Sequence, residues 1–262
     1  MTVRISNQCL ALVIAIAAPA LLQAQGRGGR GGGAATAKAM APIDLTGYWV
    51  SIVNEDWRFR MVTPAPGDYQ GVPMTAEARK VADAWDPAKD EAAGEQCKSY
   101  GAPALLRVPG HLHFTWQDDQ TLRLDMDSGT QTRLFHFSDW KPQAGAPSLQ
   151  GDSVATWEIT AAGRGGSGAA ADAPPQGKGT LKVATTHLKA GYLRKNGVPY
   201  SENATLTEYF DMIKERNGDT MLVVTTVTTD PRYLREPFII TSHFKKQAGD
   251  EGWKQTPCSA KW

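Results

Sequence analysis

The fold is decided by residues 204–229, which read ATLTEYFDMIKERNGDTMLVVTTVTT. In the first ten of these residues, Leu206, Glu208 and Phe210 share one face of an extended chain, because side chains alternate along a strand. The last ten are rich in valine and threonine, which favour strands. Between them stands Asn217-Gly218, the strongest short signal for a β-hairpin. The stretch therefore predicts two antiparallel strands.

Similar short strand-like runs recur along the rest of the chain, separated by turns that contain Gly, Pro, Asn and Asp. They are residues 47–53, 56–62, 104–108, 111–116, 121–126, 130–138, 153–160, 180–188 and 238–246. In residues 56–62 the alternation predicts Trp57, Phe59 and Met61 on one face, with Arg58 and Arg60 on the other. One helix is predicted from an N-cap at Thr75 to Trp85, and a second short piece over residues 89–95.

Many short strands with one short helical insertion predict an all-β chain. Our expectation is an antiparallel up-and-down β-barrel of lipocalin-like type, because closing a sheet removes its exposed edges. A β-sandwich is the alternative.

The ends and the low-complexity segments predict the domain organisation. Residues 1–25 carry Arg4, then an apolar run and small residues, which is the pattern of a signal peptide. The apolar run is too short to span a bilayer. Residues 26–41 are expected to form a Gly-rich flexible tether, and residues 42–262 a single β-barrel domain with a low-complexity loop at 161–179. The protein is therefore expected to be periplasmic or secreted.

Charge and cysteine content narrow the possible partners. The formal net charge is +1, so electrostatics gives no reason to expect nucleic acid as a partner. Of the three cysteines, Cys9 lies in the predicted signal peptide. Cys97 and Cys258 remain, and in an oxidising compartment we expect them to form a disulfide.

Two stretches resemble a group of exported bacterial proteins of unassigned function. One combines residues 47–51, beginning Gly47-Tyr48-Trp49, with residues 55–61, and the other combines residues 194–201, beginning Arg194-Lys195-Asn196-Gly197, with residues 205–210. The resemblance implies export and a β-barrel that is similar to calycins, whose N-terminal Gly-x-Trp is matched at residues 47–49. It implies no catalytic residues.

Carboxylates and histidines on the predicted strands are the candidate catalytic groups. Glu208 shares an otherwise apolar face, where burial would raise the pKa of its carboxyl group and suit it to proton transfer. Glu158 is a possible second member, with His136 or His243 as a partner. The alternative is a structural ion pair, in which Arg123 or Arg133 neutralises Glu208.

His111 and His113 are the candidate metal ligands. They stand two residues apart on one strand, so both face the same side, an arrangement that suits a divalent ion such as zinc or copper. The alternative is a polar strand edge that happens to contain two histidines.

Aromatic and basic residues predict a ligand site. Residues 188–200, LKAGYLRKNGVPY, form a long basic connection in which Lys189, Arg194 and Lys195 are placed to guard a barrel mouth and favour an anionic ligand. The chain has no nucleophile elbow, P-loop or dinucleotide fingerprint on a strand. We predict an exported barrel that binds an apolar or aromatic small molecule in its cavity; an acid–base lyase, isomerase or hydrolase and an extracytoplasmic metal-binding protein are the alternatives. The candidate ligand-binding side chains are Trp57, Arg133, Tyr192, Arg194 and Tyr209.

Overall fold

The strand Gly47–Ile52 (β1) closes the sheet, because it pairs with Phe238–Lys246 (β11) on one side and with His111–Asp118 (β2) on the other. In this computed structural model, residues 35–142, 144–159 and 179–261 are described. From β2 the barrel continues through Thr121–Met126 (β3), Gln131–His136 (β4), Asp152–Glu158 (β5), Thr180–Thr186 (β6), Thr205–Lys214 (β9) and Thr220–Thr229 (β10), which pairs with β11. The predicted all-β barrel is confirmed. The predicted signal peptide and residues 161–178 of the predicted loop lie outside the described residues.

One pair of neighbouring strands departs from the expected antiparallel pattern. β4 and β5 run parallel, and only Phe135 with Ser153 and His136 with Val154 are in register. Every other neighbouring pair in the barrel is antiparallel, and β9 with β10 shares ten register positions from Thr205 to Lys214. We call the short β4–β5 contact the seam. Parallel strands need a longer connection than a hairpin, and here β4 ends at His136 and β5 begins at Asp152.

The barrel interior is filled by side chains from alternate positions of each strand. On β10, for example, Leu222, Val224, Thr226 and Thr228 are buried. The largest fully buried side chains of the inner face include aromatic residues from five different strands, Trp49, Phe114, Phe135, Phe210 and Phe244. Burial of this apolar surface is the main force that holds the closed sheet together.

The two ends of the barrel are covered differently. At one end of the barrel, β1 finishes and both β2 and β11 begin. We call this the cap end. At the far end, residues 35–46 lie against the barrel, where Trp157 Nε1 donates a hydrogen bond of 2.8 Å to the carbonyl of Ala37. Ile43 and Leu45 are buried there against the interior cluster.

The cap end is covered by helices and a small hairpin. The helices are Trp57–Arg60 (α1), Ala76–Asp83 (α2), Pro87–Ala92 (α3) and Ala102–Leu105 (α4), and the hairpin pairs Gly191–Tyr192 (β7) with Pro199–Tyr200 (β8). They form a second apolar cluster that contains Tyr69, Met74, Leu193, Tyr200 and Phe238. No helix in the described ranges is both long and apolar enough to cross a bilayer.

Two strand predictions at the cap end were wrong. Residues 56–62 contain α1 and residues 104–108 contain part of α4. Arg60 is pulled inward, where its Nε donates to the carbonyl of Arg107 at 2.8 Å, while Trp57 and Met61 are exposed on the turn. Tertiary contacts therefore override the period-two pattern, as commonly happens for so short a run.

The predicted helix after Thr75 is confirmed as α2. The Thr75 hydroxyl accepts a hydrogen bond of 3.1 Å from the amide of Ala78, which caps the first turn. Ala78 and Ala82, four residues apart, are both fully buried against the cap. The second helical piece begins earlier than predicted, with Asp86 as its N-cap and Pro87 in its first turn.

Candidate functional site

Glu208, the first candidate catalytic residue, lies inside the barrel in a complete ion pair. Arg133 donates to both of its carboxylate oxygens, at 2.8 Å and 2.6 Å, and neither side chain is exposed to solvent. Arg133 also donates to the Thr185 hydroxyl at 3.2 Å. This is the structural ion pair that the sequence left open, with Arg133 rather than Arg123 as the partner. Both oxygens of Glu208 are thereby engaged, which does not favour a role in proton transfer.

The other candidate catalytic residues lie on the outer face. Glu158 was expected beside Glu208, but the inward residues of β5 are Ser153, Ala155 and Trp157, so Glu158 points outward, where it pairs with Lys182 at 3.2 Å. Glu158 does share a face with Val154 and Thr156, but this is the outer face of β5.

His136 and His243 also lie outside the barrel. His136 stacks on the ring of Trp140 with the two centroids 4.1 Å apart, and desolvation lowers the pKa of His136. His243 Nδ1 lies 2.9 Å from a carboxylate oxygen of Glu55. Neither histidine is therefore placed with Glu208.

His111 and His113 share a face of β2, as predicted, but each has a different partner. His111 Nδ1 lies 2.7 Å from a carboxylate oxygen of Asp127, and His113 stacks on Tyr48 with centroids 4.0 Å apart. Among the residues that the structure describes, no group of three or more His, Cys, Asp or Glu side chains is placed to hold a metal ion.

The predicted ligand-binding residues are scattered. Trp57 is exposed on α1, Tyr209 lies outside the barrel near Lys182, and Arg133 is the partner of Glu208. Tyr192 borders a surface pocket of about 470 Å³ beside α2 and α3, and burial raises the pKa of the Tyr192 hydroxyl to about 12. Arg194 lies at the cap end, in a cluster of buried cations.

That cluster consists of Arg60, Arg107, Arg194 and Lys195, each no more than 5% exposed. Arg60 comes from α1, Arg107 from the turn after α4, and Arg194 and Lys195 from the β7–β8 hairpin. The hairpin turn at Asn196-Gly197 requires glycine, because Gly197 has φ +79° and a Cβ there would meet Trp85 at 2.3 Å. Segments distant in sequence thus bring four cationic side chains together.

Two carboxylates partly neutralise these cations. Glu55 pairs with Arg60, and Asp56 pairs with Arg107 at 3.0 Å and lies 3.9 Å from Arg194. Both carboxylates are more exposed than the cations, at 24% and 36%, so solvent screens part of their charge. Desolvation lowers the pKa of Arg60 and Arg107, and lowers that of Arg194 to about 10. The cluster therefore keeps an excess of buried positive charge.

The cations enclose a small cavity, which we call the chamber. It has a volume of about 20 Å³ and is lined by all four cations together with Phe59 and Ser99. Arg60 Nη2, Arg107 Nη2 and Arg194 Nε are buried and donate to none of the described residues. Unsatisfied buried donors are uncommon in folded proteins, so these three are open to an acceptor placed in the chamber.

Lys195 connects the chamber to a larger opening. Its Nζ donates to the hydroxyl oxygen of Tyr100 at 2.7 Å and to the carbonyl of Ser259 at 3.2 Å. Desolvation lowers the pKa of Lys195 to about 7, and burial raises the pKa of Tyr100. Lys195 therefore changes charge near neutral pH, whereas an exposed lysine would stay protonated.

The opening, which we call the cleft, has a volume of about 450 Å³. Its apolar lining includes Met61, Tyr100, Pro109 and Pro257, and its cationic lining is Arg60 and Lys261. Arg60 is thus common to the cleft and the chamber. The volume lies within the range of small-molecule sites.

One wall of the cleft is the C-terminal tail, which the disulfide holds in place. Cys97 and Cys258 are bonded, with their Cα atoms 5.1 Å apart, so the predicted disulfide is confirmed. The tail is also held by the hydroxyl of Thr130, which donates to the carbonyl of Thr256 at 3.0 Å. The covalent bond therefore fixes residues 256–259 beside Tyr100.

Sequence reasoning found only part of this site. The connection that carries Arg194 and Lys195 lies at the cap end, and both side chains are buried there. Arg60 was assigned, with Arg58, to one face of a strand, and Arg107 carried no signal, because neither arginine has a local pattern that reports burial. Comparison of the chain with family models, curated proteins and solved structures finds no match.

Proposed function

We propose that this chain is an exported binding protein that holds a small apolar or aromatic molecule in the cleft at the cap end. The observation that carries the proposal is the cleft itself, which joins an apolar lining from Met61, Tyr100 and Pro257 to a volume of about 450 Å³. Apolar pockets of this size with a few polar groups are typical ligand sites.

The proposal moves the ligand from the barrel interior, where the sequence had suggested it, to the cap. Inside the barrel, the large side chains of Trp49, Phe114, Phe135 and Phe210 already occupy the space. The small-molecule function therefore rests on the cover of the barrel, with the barrel as a rigid support.

Export is part of the same proposal. The apolar run in residues 1–25 and the Cys97–Cys258 disulfide support it, because disulfides persist in oxidising compartments. The closed barrel bears only on the calycin-like shape that the resemblance implies.

A neutral aromatic alcohol, 2-naphthalenemethanol, tests the proposal by titration calorimetry or by chemical shifts in the disulfide-bonded protein. We expect saturable one-to-one binding that is lost in Thr256→Trp, because Thr256 is an exposed residue whose side chain lines the cleft. The matched control is Gln255→Trp, one residue away on the same tail and outside the cleft lining. Equal binding to both variants, or no binding to the wild type, would refute the proposal.

A further inference from the structure

The chamber beneath the cleft carries more positive charge than its neighbours balance. Arg60, Arg107 and Arg194 remain charged at any physiological pH, and Glu55 and Asp56 are their nearest carboxylates. Asp68 is paired with Arg58, so it is already neutralised. One further negative charge would balance the three guanidinium groups.

The chamber also has unused hydrogen-bond donors. Arg60 Nη2, Arg107 Nη2 and Arg194 Nε are all buried, and each belongs to a side chain that lines the chamber. Guanidinium groups bind carboxylates through parallel N–H···O bonds, which are shorter and stronger than neutral ones. An acceptor with more than one oxygen atom fits three such donors.

The size of the chamber limits the anion. Its volume of about 20 Å³ is little more than the roughly 10–15 Å³ that a single water needs. A carboxylate, with three heavy atoms in one plane, suits this space better than a tetrahedral phosphate or sulfate, which has five.

The chamber and the cleft are adjacent. Arg60 lines both, and the contact between Lys195 and Tyr100 joins a chamber residue to a cleft residue at 2.7 Å. A molecule in the cleft can therefore present an acid group to the guanidinium of Arg60 while its apolar part stays beside Met61 and Pro257.

We infer that the ligand of the cleft is an apolar or aromatic monocarboxylate, whose acid group is bound in the chamber by Arg60, Arg107 and Arg194. This inference rests on the proposed function, which concerns the apolar part of the ligand alone. It assigns the selectivity for an acid to three charged side chains, of which only Arg60 also lines the cleft.

The test compares 2-naphthoate with 2-naphthalenemethanol, which share the same ring system and differ in the acid group. With the wild type, we expect the dissociation constant of the acid to be at least tenfold lower than that of the alcohol. Arg107→Met should raise the dissociation constant of the acid towards that of the alcohol and so remove this preference. Arg216→Met is the matched control, because Arg216 is exposed on the β9–β10 turn and its loss removes the same charge.

The possible results separate the two proposals. Equal affinity for acid and alcohol would overturn the inference and leave the proposed function standing, whereas binding of neither would overturn both. A preference for the acid that survives both Arg107→Met and Arg194→Met would also overturn the inference, since the acid group would then be bound elsewhere.

A second measurement needs no variant and so does not depend on whether Arg107→Met folds. Sodium formate, which is a carboxylate head without a body, should compete with 2-naphthoate for the wild-type protein. Sodium sulfate at equal ionic strength should compete less strongly, because a tetrahedral anion suits the chamber less well. Failure of formate to compete, or equal competition by sulfate, would overturn the inference.

Discussion

The protein buries arginine in two places, and the two differ in how the charge is balanced. Inside the barrel, Arg133 has a carboxylate of its own, and both oxygens of Glu208 accept from it. At the cap end, Arg60, Arg107 and Arg194 share only Glu55 and Asp56, and both of these carboxylates are partly exposed. A buried charge that is fully paired is explained by the fold, whereas a buried excess of charge calls for a ligand.

The largest effect that we expect comes from removing the carboxylate inside the barrel. Glu208→Gln leaves Arg133 as a buried charge without a counterion, which should lower the free energy of unfolding by about 3–5 kcal/mol. Urea denaturation measures the change. Glu158→Gln is the control, because its pair with Lys182 is exposed and should be worth less than about 1 kcal/mol. Similar losses in both variants would show that the interior pair is no more important than a surface pair.

Removing the disulfide comes next. Cys97→Ala with Cys258→Ala releases the tail that forms one wall of the cleft, and should lower the free energy of unfolding by about 2–5 kcal/mol. The same denaturation experiment detects it, and the affinity for 2-naphthalenemethanol should fall in parallel. A reductant should reproduce both effects in the wild type and change nothing in the variant. Unchanged ligand affinity after removal of the bond would separate the tail from the cleft.

A change in pH tests Lys195 at the cap. Its folded pKa of about 7 lies below the ordinary lysine value of 10.5, so between these values the unfolded chain holds a proton that the folded chain has released. The stability contribution of this group therefore rises with pH above 7, by about 1–2 kcal/mol up to pH 9. Lys195→Met should lack this rise. Parallel pH profiles for the wild type and the variant, measured by urea denaturation, would contradict the assigned pKa.

The smallest change in stability that we expect is for an arginine at the cap end, and it separates the two sites most clearly. Arg107→Met removes one of the mutually repelling cations at the cap, and Asp56 keeps Arg194 nearby and remains partly solvated. Stability without ligand should therefore change by less than about 1 kcal/mol, since apolar replacement of a poorly compensated buried charge is often neutral. Arg133→Met in the barrel is the contrast, because it leaves Glu208 unpaired. Equal losses in the two variants would mean that both sites are structural.

Much of the fold could be predicted from local sequence. The Asn217-Gly218 turn set the β9–β10 hairpin, Thr75 and the buried alanines set α2, and Cys97 and Cys258 formed the bond that their number implied. These features depend on residues close in sequence or on simple pairing. They needed no knowledge of the tertiary structure.

The candidate site could not be predicted in the same way. Arg60 alternates with apolar neighbours and therefore suggests a strand, yet its contacts with Glu55 and the carbonyl of Arg107 draw it into a helical turn. Glu158 was assigned to the inner face because the alternation of side chains shows which residues share a face of a strand but not which face lies inside. Charge balance at the cap depends on residues from distant segments, which only the folded chain brings together.

The seam between β4 and β5 gives the Arg133–Glu208 pair a mechanical role. The two strands share only two register pairs, while Arg133 from β4 reaches across the interior to Glu208 on β9 and to Thr185 on β6, which lie beyond β5 in the barrel. The ion pair therefore joins β4 to β9 through the interior, behind the shortest strand contact of the barrel. Local opening that admits water to the interior should begin at this contact, and the rate of amide exchange in β5 should report how strongly the ion pair opposes that opening.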